Sequence, residues 1–362
     1  MSATYLRHFT RASLCLTRQA AIRPTNKLIH NAGTLPHLRH LTTTPFRAAI
    51  ARVLPSRNSF AQVRFTKADI PPLSFWTFHV RPPVVPDGEA SPAACFEACH
   101  RYAELAIEDA PGWRQRALSA APTAAGDDGT IPLSTLHYAA LLAMRSPATG
   151  GHLATHILHT GVMLNYAPSV LTMARLGFKA DKLDKPQFAP AKDALGKLAS
   201  SANDRDAYYR ADALTLMGLV HARQGTYAGD DRALRFFNDA AQAARAPDAA
   251  WQWRVSAVLE QSRIYVRRKQ IDLAREVLRT ASHELDNAEA CFEYAMLLPS
   301  DDPERTPMIE RAAISGVEGA AREMGQIELQ RAAERGLSST ERRQRRLIAE
   351  EWMGVAADVA II

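Results

Sequence analysis

The sequence predicts an all-α protein, and three observations lead to that prediction. Of the 362 residues 47% are hydrophobic, alanine is abundant, and apolar runs with the period-two alternation of strands are scarce. From Pro92 onward, turn signals recur about every 12 to 20 residues. Residues 212–244 show the pattern most clearly, as two amphipathic helices joined by a turn that Gly225 and Gly229 punctuate. Because one hairpin cannot bury its own apolar face, we expect a stack of similar hairpins.

The first 68 residues are predicted to be a disordered mitochondrial transit peptide. They contain eleven Lys or Arg residues, and no Asp or Glu occurs before Asp69. Such an arginine-rich, acid-free and Ser/Thr-rich segment is typical of an import presequence, and the alternative is a basic tail that binds nucleic acid or anionic lipid. A processing cut near Leu41 or Phe65 would fit, since each follows an arginine. The predicted location is the matrix or the matrix face of the inner membrane.

Residues 69–92 are predicted to be a proline-rich linker. Its closely spaced prolines are expected to prevent a helix and to favour extended backbone. The centre of the linker carries Phe75, Trp76 and Phe78, which are too apolar for a free spacer. Either these aromatic side chains pack on the chain's own first helices, or they form a docking segment for a partner.

A single helical domain is predicted over residues 93–362. Its first helix, 92–109, has Ser91 as N-cap and Pro92 at the first position, and a short helix follows Pro111. The remaining helices are predicted at 133–144, 152–164, 169–178, 191–201, 206–223, 231–244, 249–267, 271–284, 287–298, 304–315, 317–334 and 339 to about 359.

Two local expectations accompany these helices. Asp230 or Asp231 is expected to cap the helix 231–244. The last helix is expected to close the exposed end of the stack with one apolar stripe, formed by Ile348, Trp352, Val355 and Val359.

Small and apolar residues repeat along the chain. The spacing of Ala233, Phe237 and Ala240 returns 41 positions later as Ala274, Leu278 and Ala281, preceded by Val258, Ser262 and Tyr265. Further small residues occupy the expected junctions: Gly161, Ser169, Ala174 and Gly177, then Ala312, Ala313 and Gly316, then Ala321 and Gly325. These motifs resemble the tetratricopeptide (TPR) family and its Sel1-like relative, from about Leu133 to the C-terminus. The resemblance implies a right-handed α-α superhelix, or α-solenoid, whose concave face holds protein partners.

Histidines and cysteines supply the candidate metal ligands. His152, His156 and His159 lie at i, i+4 and i+7 of one predicted helix, with His137 one helix earlier, so a metal or haem site is conceivable there. The alternative is the polar side of an amphipathic helix, which we favour because no acidic residue is nearby in sequence. Cys95 and Cys99 lie one turn apart and are expected to be small buried residues, because no second cysteine pair completes a zinc site.

Two basic clusters could contact RNA phosphates. One contains Arg263, Arg267, Arg268 and Lys269, and the other contains Arg342, Arg343, Arg345 and Arg346. The sequence pI is high, at about 9.2, because of the first 68 residues. The rest of the chain carries 33 Lys or Arg against 38 Asp or Glu. Both clusters are therefore expected to be solvated faces, and nucleic acid is not the expected ligand.

The functional hypothesis is a non-catalytic mitochondrial adaptor or scaffold that binds protein partners through the concave solenoid face. It would act as an assembly factor for a respiratory complex or for the mitochondrial ribosome. No catalytic residue, cofactor or metal is assigned, and no transmembrane segment is expected, which still allows peripheral association with the inner membrane. The alternatives are an RNA-associated repeat protein of mitochondrial gene expression and a haem- or metal-handling assembly protein.

Overall fold

The computed structural model describes residues 60–82, 84–120, 129–146, 150–201, 204–245 and 250–361. Apart from residues 60–68, the predicted transit peptide lies outside this part of the chain. The described residues are predominantly helical, which confirms the all-α prediction. They form two compact units. Unit 1 runs to Ala213 and includes 250–252, and unit 2 comprises Leu214–Arg245 and the chain from Trp253.

Unit 1 contains helices and one small strand pair. After a 3-10 turn at Lys67–Asp69, its elements are α1 (Leu73–His79), α2 (Pro92–Glu108), α3 (Trp113–Ala117), β1 (Leu118–Ser119), β2 (Ile131–Pro132), α4 (Leu133–Ala143), α5 (Gly150–Met163), α6 (Ala167–Lys179), the 3-10 turn Pro186–Phe188, α7 (Ala189–Ser200) and the first half of α8 (Asp204–Ala222). The two strands pair in parallel, with Leu118 opposite Ile131. As predicted, Ser91 caps α2 by accepting a hydrogen bond from the Ala94 amide at 3.1 Å.

The predicted linker contains a helix, so the expectation that its prolines prevent one is wrong. The prolines flank α1 and do not interrupt it, because Pro72 occupies the N-cap position, where a missing amide proton costs nothing. Trp76 is fully buried, and its indole Nε1 donates to the Pro71 carbonyl at 2.8 Å. The tryptophan therefore packs within unit 1, whereas Phe78 stays 60% exposed.

Unit 2 is a succession of helical hairpins. It contains the second half of α8, then α9 (Tyr227–Ala243), α10 (Arg254–Arg267), α11 (Ile271–Glu284), α12 (Ala288–Leu297), α13 (Arg305–Ile314), α14 (Glu318–Ala332) and α15 (Ser339–Ile361). Each helix from α9 onward packs against the next one. Arg254 at the start of α10 bonds Glu284 at the end of α11 at 3.0 Å, as antiparallel partners do. Hereafter α10, α12 and α14 are the first helices of their hairpins, and α11, α13 and α15 are the second helices.

The start of α9 differs from the prediction. Thr226, not Asp230 or Asp231, is the N-cap, and its hydroxyl accepts from the Gly229 amide at 3.0 Å. Gly229 lies in the first helical turn and not in the loop. A Cβ there would lie 2.8 Å from the His221 carbonyl oxygen, so glycine permits close approach of the two helices.

The repeated small and apolar residues form the interior of unit 2. Ala233, Phe237 and Ala240 are at most 2% exposed, and Ala274, Leu278 and Ala281 are fully buried. The Phe237 ring lies directly on Gly218, where no side chain could be accommodated without displacement. Gly325 likewise allows close packing near the end of the chain, since a Cβ there would lie 2.8 Å from the Met353 side chain. The residues that suggested the repeat are thus the ones that allow helices to approach closely.

The inner face of α15 is rotated relative to the predicted stripe. Ala349 and Ala356 are buried, and Trp352 packs against the same core, but Val355 is 41% exposed. The expectation for Val355 is therefore wrong, and the side chain of Val359 lies outside the described residues. At Gly325 the two helices approach closely, since a Cβ there would lie 3.2 Å from the Ala349 carbonyl oxygen.

Candidate functional site

An arginine joins two neighbouring first helices on the surface of unit 2. The Arg263 guanidinium on α10 lies 2.8 Å from Glu289 and 2.7 Å from Glu293 on α12, and 3.7 Å from Glu260 on its own helix. Burial raises the pKa of Glu293 although Arg263 opposes this shift. The three carboxylates more than offset the effect of burial on Arg263 and raise the pKa of its guanidinium. The arrangement fixes α12 beside α10.

The ion pairs continue toward α9. Arg267 contacts Asp230 at 2.7 Å and Glu260 at 3.5 Å, and Arg268 contacts Asp231 at 2.8 Å. The Arg268 guanidinium also lies over the ring of Tyr227, 4.2 Å from its centroid. Asp230, expected as a helix cap, instead accepts a hydrogen bond from Arg267 of the following hairpin.

The first predicted basic cluster is consequently not a basic surface. Its three arginines contact five carboxylates, Asp230, Asp231, Glu260, Glu289 and Glu293. An RNA phosphate would have to compete with these carboxylates for the guanidinium groups. Sequence reasoning missed the acidic partners, although Glu289 and Glu293 are one helical turn apart and signal a carboxylate pair on one face.

Apolar side chains lie on the same exposed side of these helices. Val266 follows Arg263 by three positions and is 40% exposed, and Met296 follows Glu293 by three positions and is 46% exposed. Together with Glu260, Arg263, Glu289 and Glu293 they form what we call the first-helix face. This face is amphipathic, with charged groups and partly exposed hydrophobic groups side by side.

The second basic cluster is divided by the fold. Arg345 bonds Glu328 at 2.8 Å, and Arg331 bonds the same carboxylate group at 2.6 Å, which fastens α15 to α14. Arg342, Arg343 and Arg346 are exposed. Glu341, on the same helical turns, accepts from the Ser338 hydroxyl at 2.7 Å and from its amide at 2.8 Å, which completes a capping arrangement at the start of α15.

Replacing Arg263 with methionine is expected to lower the free energy of unfolding by about 1–2 kcal/mol, because Glu260, Glu289 and Glu293 would be left close together without their shared cation. Arg322→Met is the matched control, because within the described ranges Arg322 pairs with Glu318 on its own helix, and it is more exposed than Arg263. It should cost less than about 0.5 kcal/mol. Urea unfolding measures both free energies. Equal losses would show that the arrangement around Arg263 stabilises the protein no more than the single exposed ion pair of Arg322.

Two of the four candidate histidines, His156 and His137, each lie in a buried polar contact of unit 1. His156 Nδ1 lies 2.8 Å from the Tyr102 hydroxyl, which also lies 2.7 Å from the Thr160 hydroxyl. His137 Nδ1 lies 3.2 Å from the Ser169 hydroxyl. His159 is half-buried and lies edge-on to Phe60, with ring centroids 6.4 Å apart.

These environments do not bring the histidines together as ligands. His152 is exposed while His156 is buried. Burial, followed by the charges of Arg114 and His159, lowers the pKa of His156 to about 4, with a hydrogen bond to the Ala61 backbone acting in the opposite direction. Burial alone lowers the pKa of His137 to about 4. Among the described residues, no group of three or more His, Cys, Asp or Glu side chains is placed to share a metal ion.

Cys95, Cys99 and Cys291 are buried free thiols in the described part of the chain. Burial raises the pKa of Cys95 to about 12, and it raises those of Cys99 and Cys291 as well. In a Cys15→Ser variant, Ellman's reagent should therefore react on the order of 100-fold more slowly with the native protein than in denaturant. Rapid reaction of one full equivalent of native thiol would contradict the buried placement.

An open cavity of about 690 Å³ lies beside the end of α2. It is lined by Ala61, Gln62, Val63, Arg64, Ala106, Ile107 and Asp109, and so by none of the candidate histidines or cysteines. No helix in the described ranges is long and apolar enough to cross a membrane.

Comparison with protein-family models, with curated proteins and with solved structures gave no match. The resemblance to TPR and Sel1-like repeats accordingly stays a prediction from the residues that suggested it.

Proposed function

We propose that the protein is a non-catalytic adaptor of mitochondria that binds protein partners through the first-helix face. The observation that carries this proposal is the amphipathic surface around Arg263, where partly exposed Val266 and Met296 adjoin three carboxylates. A surface of this kind is suited to a partner helix or an extended segment that supplies apolar anchors and positive charge.

The packing of alternate helices supports the α-solenoid part of the proposal. Arg263 links the first helices α10 and α12, and Phe292 on α12 adjoins Gly319 on α14, where a Cβ would lie 2.9 Å from its ring. Among the second helices, Arg311 of α13 donates to the Ser282 carbonyl of α11 at 3.5 Å. First helices next to first helices and second next to second are the arrangement of a right-handed TPR- or Sel1-like superhelix.

The acid-free first segment supports the mitochondrial part. Its eleven basic residues suit import across an energised inner membrane. We place the protein in the matrix or at the matrix face of the inner membrane, as an assembly factor for a respiratory complex or the mitochondrial ribosome.

Affinity purification from mitochondria with a matched pair of variants tests this function. Met296→Asp puts a charge on the first-helix face, whereas Ile314→Asp puts one on a second helix at a side chain that is 73% exposed. We expect Met296→Asp to reduce recovery of the main protein partner at least tenfold and Ile314→Asp to leave it unchanged. Recovery of RNA that persists in high salt, with no protein partner, would favour the RNA-associated alternative.

A further inference from the structure

Two aromatic side chains anchor residues 60–65 to unit 1. Phe60 is 3% exposed and Phe65 is 4% exposed, while the four residues between them are all exposed. We call residues 60–65 the strap. The strap is attached to unit 1 at its first and last residues, although the sequence predicts that it belongs to the transit peptide.

The first anchor extends an aromatic cluster of unit 1. The Phe60 ring lies edge-on to Phe188, with centroids 5.0 Å apart. Phe188 is fully buried and packs on Gly177, where a Cβ would lie 2.8 Å from its ring. Phe60 therefore covers a ring that is itself seated against the backbone of α6.

The second anchor covers the buried histidine. The Phe65 ring lies edge-on to His156, with centroids 5.2 Å apart. Directly after it, Asp69 accepts from the Thr66 amide at 2.7 Å, and Lys67 bonds Glu104 of α2 at 2.7 Å. The chain is thus attached to the helices from Phe60 through Asp69.

Most of the positive charge of the first 68 residues lies before the strap. Nine of the eleven basic residues of the first segment precede Phe60. The last of the eleven, Lys67, lies after the strap and bonds Glu104 of α2. The import-like composition therefore belongs to the residues before the strap, whereas the strap and residues 66–69 belong to the folded unit.

We propose that mitochondrial processing hydrolyses a peptide bond on the N-terminal side of Phe60, so that the mature protein keeps the strap, and that the Arg64–Phe65 bond is not cut. The inference rests on the mitochondrial import that forms part of the proposed function. A processing peptidase adds water across a bond in an extended stretch of chain, and burial of Phe65 keeps the Arg64–Phe65 bond out of that state. A cut there would also remove Phe60 and expose Phe188 to water.

The purified matrix processing peptidase, acting on the purified full chain, tests the cut directly. Mass spectrometry of the product should give an N-terminus at or before Phe60, in agreement with the other expected position near Leu41. A product that begins at any residue after Phe60 would overturn the inference while leaving import intact. Absence of any cut would likewise overturn the inference, whereas failure of the full chain to enter isolated mitochondria would overturn the import on which it rests, so the two failures are distinguishable.

Variants of the full chain test the reason for the protection. Phe60→Ala and Phe65→Ala should each lower the melting temperature by about 5 °C or more. Val63→Ala, in the same strap but exposed, should leave it unchanged. If the two phenylalanine variants melt like Val63→Ala, the strap is not part of the folded unit and the inference fails.

Discussion

Replacing Phe237 with alanine is expected to lower the free energy of unfolding by about 3–5 kcal/mol, which is much of the stability of a typical domain. Phe237 is 2% exposed and fills the space that Gly218 leaves on α8. Two free-energy terms make up this loss. The variant forfeits the favourable transfer of the phenyl ring from water to the interior, and it leaves a cavity in a close-packed core. Urea unfolding followed by circular dichroism measures it.

A double-mutant cycle isolates the contact between Phe237 and Gly218. Gly218→Ala alone should destabilise the protein by about 1–3 kcal/mol, because the new methyl group overlaps the ring. Gly196→Ala is the matched control, since no described residue outside its own helix backbone lies within 4 Å of the added Cβ, and it should stabilise α7 by about 0.5–1 kcal/mol. In Gly218→Ala/Phe237→Ala the methyl group enters the vacated space, so the double variant should lose less than the sum of the two single losses. Strict additivity would show that the two residues do not share that space.

Mild acid is expected to destabilise unit 1 strongly. His137 and His156 have pKa values lowered to about 4, against about 6.5 in an unfolded chain. Between those pH values the unfolded state binds more protons, so the stability is fully present above about pH 6.5 and is lost as the pH falls toward 4. Each residue accounts for up to about 3 kcal/mol of that loss.

Hydrogen exchange of peptides from α2 to α5, measured between pH 7 and 5 and corrected for intrinsic rates, follows this loss. Ordinary carboxylates stay ionised in that interval, so the slope of opening free energy against pH reports mainly on histidine. His137→Gln should reduce the slope, and His152→Gln should not, because His152 is exposed. A flat profile in the unaltered protein would contradict the placement of His137 and His156.

The helices were predictable because local signals decide them. Ser91 with Pro92 marks the start of α2, and alternating small and large residues such as Ala233 and Phe237 mark the buried side of α9. These signals depend on spacing along the chain, which the sequence displays directly.

Features that depend on distant partners were not predictable in the same way. The sequence predicts that Phe60 and Phe65 belong to a presequence because their neighbours are basic, whereas in the fold they are buried against Phe188 and His156. Arg263 and Arg267 belong to a basic cluster in the sequence, whereas their carboxylate partners lie up to 37 positions away in the chain. The helix in the proline-rich segment depends likewise on the burial of Trp76.

Site-specific photo-cross-linking in isolated mitochondria tests the adaptor proposal most directly. A photoreactive amino acid replaces either Val266 on the first-helix face or Leu273 on a second helix, two side chains of matched exposure at 40% and 43%. We expect the probe at 266 to capture a distinct protein partner and the probe at 273 to capture none. Capture of a partner only at 273, or of RNA and no protein at 266, would contradict the adaptor proposal.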